Sequence, residues 1–137
     1  MISRLAAGLT RHPAMAGAVL SLLSLPVHLV LPEAVSSQFA AIILGVVAGI
    51  YAGFALQDGR ARILAIEGLA ALAFLALALA GLVWSPWLIP AAYVLHGVWD
   101  LLHHRQISTK TPSWYPPMCA VYDWVFAAGL CALWILR

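Results

Sequence analysis

Charge is what this sequence has least of. Only 9% of its 137 residues are Asp, Glu, Lys or Arg, where soluble domains carry about 25%. That shortage excludes a conventional soluble domain. The net charge of +2 is small, and the basic residues sit between apolar runs, which gives no support to nucleic-acid binding. Cysteine is scarce too. Cys119 and Cys131 fall in one apolar run, and on a single helix they stand about 18 Å apart along the axis, too far for a disulfide. Sustained alternation of apolar and polar residues is also missing, which excludes a membrane β-barrel.

What is present is apolar length. Hydrophobic residues make up 64% of the chain and the mean hydropathy is +0.98. Five runs, each about the 20 residues that a helix needs to cross a hydrocarbon core of about 30 Å, fill nearly all of it. Lipid offers the backbone no hydrogen bonds, so such runs are helices. The expected fold is all-α: a polytopic membrane bundle of five helices at about 13–31, 35–56, 63–84, 87–104 and 118–136, forming one integral membrane domain over 1–137. The first run exceeds the about 7–15 residues of a signal-peptide core and is interrupted by Pro26 and His28, so it is expected to remain as a helix despite the cleavage-like Ala34-Val35-Ser36. Gln57-Asp58-Gly59 is a turn signal. Between the last two helices, Arg105 to Pro117 reads as a proline-restricted interfacial connector that places Trp114 and Tyr115 at headgroup level.

Orientation follows from the loops. Arg4, Arg11, Arg60, Arg62, Arg105 and Lys110 fall on one side of a five-helix serpentine and only Arg137 on the other. The positive-inside rule then puts the N-terminus in the cytoplasm and the C-terminus outside. Gly45, Gly49 and Gly53 recur every four residues, a pattern that lets helix backbones approach closely, within the chain or between copies in a homo-oligomer.

Ionisable side chains within a span are costly and usually face an interior or a pathway. Here they cluster. At about 100° per residue, Asp100 lies about 40° from His96, His103 about 20° on the other side and His104 about 80° away, so all four share an arc of about 100°. Tyr93 and Trp99 flank that arc as candidate substrate-lining residues. Counting depth along the helices brings Glu67 and Asp123 to the same level, with Asp58 and Gln57 closing the second helix on that side. Imidazoles with carboxylates are the donor set of a Zn or Fe site. We therefore expect His96, Asp100, His103 and His104 as metal ligands, with Glu67 or Asp123 as a further ligand, a partner to an imidazole or the general base.

The stretch His96-Gly97-Val98-Trp99-Asp100-Leu101-Leu102-His103-His104, with the later Cys119-Ala120-Val121-Tyr122-Asp123, resembles a family of small bacterial multi-pass membrane proteins of unknown function. That family carries a His-x-x-Trp-Asp-x-x-His-His pattern followed by Cys-x-x-x-Asp. The resemblance covers roughly the last third of the chain and implies a membrane location and a matching set of His96, Asp100, His103, His104 and Asp123. It implies no reaction. A looser similarity in ligand type, without a shared motif, links the site to the membrane ceramidase and receptor group of zinc hydrolases.

The leading expectation is a metal-dependent membrane enzyme that acts on a lipid or lipophilic substrate at the cytoplasmic leaflet. A Zn site activating water would make it a hydrolase. An iron site would make it an oxidoreductase. The alternatives are a metal-free isomerase or cyclase that protonates an alkene, with Trp99 steadying a cation, a proton or metal-ion carrier, and an accessory subunit. The orientation is directly testable. A topology reporter fused after Arg137 should be active only outside the cytoplasm and one near Gly59 only inside; the reverse at either point overturns the serpentine.

Overall fold

The computed structural model describes residues 10–105 and 110–136, the side chains of His104 and Arg105 excepted. Five helices follow in order: α1 (Pro13–Val30), α2 (Glu33–Asp58), α3 (Ala61–Val83), α4 (Leu88–Arg105) and α5 (Tyr115–Ile135). Four of them, α1, α2, α3 and α5, are long and apolar enough to cross a membrane. Helix α4 matches α1 at 18 residues, and its polar side chains take it out of that set.

The ends obey local chemistry. Helix α2 stops at Gly59, whose φ of 76° is left-handed and whose N–H bonds back to the Ala55 carbonyl, because glycine alone adopts that conformation without strain. Beside it Asp58 accepts from Arg60 Nη2 at 2.8 Å. The connector differs from expectation. Helix α5 begins at Tyr115 rather than at Met118, and Pro116 and Pro117 form its first turn, where backbone N–H groups have no partner within the helix and proline costs nothing. Tyr115 is thus part of the bundle, its ring edge-on to Phe54 at 5.5 Å.

Helix α5 packs along both α1 and α4, and α2 along α3; α4 also meets α3 and α2. The core between them holds Leu44, Ile89, Tyr93, Phe126 and Leu130. The outside is apolar, with Leu23 69% and Val30 81% exposed, while Glu67, His96, Asp100, His103 and Asp123 are buried. This polar-inside arrangement is what a lipid solvent favours and water does not.

Close approach happens where the glycine repeat does not suggest it. A Cβ on Gly17 would stand 2.1 Å from the Met118 carbonyl oxygen, and one on Gly97 would stand 2.6 Å from Trp124 Nε1. These two glycines set the α1–α5 and α4–α5 spacings. A Cβ on Gly49 or Gly53 would meet nothing within 4 Å, since both face outward. Gly45 has only Leu75 at 3.5 Å. The Gly45, Gly49, Gly53 ridge is therefore not a close helix seam within the chain. Overpacking at a site that cannot relax costs about 1–3 kcal/mol. Gly17→Ala should lower stability by that order in detergent unfolding, and Gly49→Leu should leave the monomer's unfolding unchanged; equal effects would refute this assignment.

Candidate functional site

The face read from the sequence of α4 is buried as one unit. His96, Asp100 and His103 all point into the bundle, where α2, α3 and α5 each bring a partner. Gly97 allows α5 to come close enough for Asp123 to reach His96: Nδ1 and Oδ2 are 2.6 Å apart. Asp100 Oδ2 lies 3.6 Å from the same nitrogen. His96, Asp100 and Asp123 each offer one ligand atom, and these atoms lie within 4.8 Å of one another.

His103 does not join them. Its Nδ1 lies 2.9 Å from the Trp99 carbonyl and its Nε2 is hydrogen-bonded to Glu67 Oε1. Both ring nitrogens are engaged, so of the ligands expected on α4 His96 and Asp100 group with Asp123 of α5, while His103 pairs with Glu67 of α3. Tyr51 of α2 links the two. Its hydroxyl donates to Asp100 Oδ1 at 2.6 Å, and its ring stacks on the His103 imidazole at 4.0 Å and 25°. Nothing in the sequence marked Tyr51, a lone tyrosine among small apolar residues.

The flanking residues behave differently from one another. Trp99 is half-buried and sets its ring edge-on to His103 at 5.1 Å. Tyr93 is turned away, its hydroxyl donating to the Ala40 carbonyl at 2.8 Å and its ring against Phe126 at 5.0 Å, so it belongs to the core and not to the lining of this centre. Asp58, expected at the same depth, is paired with Arg60 instead. His104 falls outside the described side chains. His28 sits in a separate polar contact, with Nδ1 2.8 Å from Ser36 Oγ, onto which Trp134 also donates at 3.3 Å.

The charge count is informative. Three carboxylates, Glu67, Asp100 and Asp123, face two imidazoles, His96 and His103. Even with both imidazoles protonated, one carboxylate lacks a counter-charge among the described residues. Burying an uncompensated charge costs several kcal/mol, so a proton or a cation must supply the balance. Asp100 Oδ2, His96 Nε2 and Glu67 Oε2 are all buried without a hydrogen-bond partner among the described residues. Buried polar atoms are rarely left so. The donor chemistry of one imidazole and two carboxylates fits a divalent cation such as Zn or Fe.

A family of unknown function, DUF6010, matches residues 12–136. The chain belongs to that family. The match takes in every residue of the centre. No curated protein and no solved structure matches the chain.

The Tyr51–Asp100 bond can be weighed directly. Tyr51→Phe keeps the stack on His103 and leaves a buried carboxylate oxygen unsatisfied, which costs about 1–3 kcal/mol. Thermal unfolding in detergent should show that loss in the native background and little or none in Asp100→Leu. Equal losses in both backgrounds would mean that the bond contributes nothing.

Proposed function

We propose that this chain is a five-span protein of the bacterial inner membrane with a cytoplasmic N-terminus, and that its buried centre is a metal-dependent enzyme site acting on a lipid or lipophilic substrate reached from the cytoplasmic leaflet. The observation that carries the proposal is the buried His96–Asp100–Asp123 group, with ligand atoms within 4.8 Å of one another and with Asp100 Oδ2 and His96 Nε2 lacking a hydrogen-bond partner among the described residues. A dication there supplies the charge that three carboxylates require. Bound Zn would favour hydrolysis by activating water; iron would favour oxidation. The lipophilic substrate class is supported by the apolar exterior.

Each residue then has a task. Asp100 is oriented by Tyr51 and offers Oδ2 to the ion. Asp123 lies beside His96, as a ligand or as the carboxylate that holds the imidazole, and Glu67 stands close by as a proton acceptor. Trp99, half-buried over His103, is the aromatic surface that a substrate would meet. The orientation rests on the loop charges, and on that orientation the centre lies nearer the cytoplasmic side.

Metal content decides the matter. Protein purified without chelator should carry zinc or iron at near-integral stoichiometry. His96→Ala and Asp100→Ala should lose most of it while circular dichroism shows an intact bundle, and His28→Ala should keep it. Chelation should lower the unfolding temperature of the native chain, since a ligand at about 100 times its Kd stabilises by about 2.7 kcal/mol, and should not change that of Asp100→Ala. Full metal content in His96→Ala, or no metal after both aerobic and anaerobic preparation, sinks the proposal. The latter result would favour the carrier or the metal-free isomerase.

A further inference from the structure

The Glu67–His103 pair has a proton inventory that its geometry fixes. A carbonyl oxygen only accepts, so the contact of His103 Nδ1 with the Trp99 oxygen at 2.9 Å requires a proton on Nδ1. On the opposite side of the ring, Nε2 meets Glu67 Oε1. A bare imidazole nitrogen and a carboxylate oxygen are both acceptors and would repel. One proton therefore lies between them, borne by the nitrogen or by the oxygen. Either way the pair is neutral overall, and no lone pair on His103 remains for a metal ion.

The rest of the surroundings hold this state in place. The Tyr51 ring covers one face of the imidazole at 4.0 Å and the Trp99 ring meets it edge-on at 5.1 Å, which packs the ring in this orientation. Glu67 and His103 side chains are fully buried, and Glu67 Oε2 has no hydrogen-bond partner among the described residues. One carboxyl oxygen is thus committed to the shared proton and the other is open.

We propose that Glu67 and His103 are a proton-sharing acid–base pair standing beside the metal cage and not ligands within it, with Glu67 Oε2 as the atom that exchanges a proton with a hydroxyl or water. This deepens, and for its chemical role rests on, the reading of the centre as catalytic. The proton balance is simple. A hydroxyl that reaches Oε2 donates to it; on transfer its O–H bond breaks and an O–H bond forms at Oε2. The shared proton passes wholly to Nε2, so the pair gains one positive charge and the donor oxygen is left with one negative charge. Returning the proton to the leaving group restores the neutral pair. A lone carboxyl would have to take up the proton without this compensation from the ring.

The test reads the protons themselves. In protein labelled with 15N-histidine and held in detergent micelles, the resonance of His103, assigned by its disappearance in His103→Gln, should show a protonated Nδ1 and a proton shared at Nε2, far downfield as charge-assisted bonds are. Glu67→Gln keeps the shape but supplies only an amide. In that variant the downfield proton should vanish and Nε2 should become a plain acceptor, with Nδ1 still protonated. Metal content of Glu67→Gln and His103→Gln should match that of the native chain to within about twofold, well short of the about 10–100-fold loss that accompanies disruption of a ligand's own partner. An unprotonated Nδ1, a downfield proton that survives Glu67→Gln, or loss of the metal in either variant overturns the pair. If the native chain holds no metal, the metal-enzyme reading falls and the resonance still decides whether the proton is shared.

Discussion

Three buried carboxylates govern this structure. Glu67 on α3, Asp100 on α4 and Asp123 on α5 are all withdrawn from the surface, and each ionised group in a low-dielectric interior costs several kcal/mol unless matched by charge or hydrogen bonds. The helices are arranged to match them. His96 meets Asp123, His103 meets Glu67, and Tyr51 reaches across from α2 to Asp100. The remaining bundle can be read as the scaffold that makes these meetings geometrically available.

That scaffold works through small residues, not through a hydrophobic drive, which lipid does not provide between helices. Gly97 is the residue next to His96, and its missing side chain is what admits Trp124 and the Ala120 carbonyl. The indole then donates to the Val94 carbonyl at 3.2 Å, fixing the rotation of α5 against α4. The same rotation brings Asp123, one residue before Trp124, to the imidazole. Packing and chemistry at this crossing are one event.

Much of this was legible in the sequence, and the limits have physical causes. Apolar run length gave five helices to within a few residues, except that Pro116 and Pro117 read as connector when they are a helix's first turn. The 3.6-residue period placed His96, Asp100 and His103 on one face, and counting rise per residue brought Glu67 and Asp123 to that depth. Depth says nothing about rotation about a helix axis. Which histidine meets which carboxylate depends on the azimuths of α3 and α5, and these are set by contacts such as Gly17 against Met118. Tyr51 was silent because one hydroxyl in an apolar run has no period. Gly45, Gly49 and Gly53 announced a smooth face without saying which way it points, and Tyr93, one turn before His96, lies against Phe126 and Ala40.

Helix α4 has a consequence for how the protein is made. On the five-span reading, a segment carrying His96, Asp100 and His103 gains little from lipid alone, because an aspartate within the span offsets part of the apolar insertion energy. Its partners lie on the helices before and after it. Glu67 and Tyr51 emerge from the ribosome earlier, and Asp123 emerges last. Stable residence of α4 in the bilayer therefore has to wait for neighbours already at the insertion site, and its first shelter is the α2–α3 pair. The polar centre would then be built during synthesis as the condition for the fourth helix to stay in the membrane, with α5 closing it afterwards.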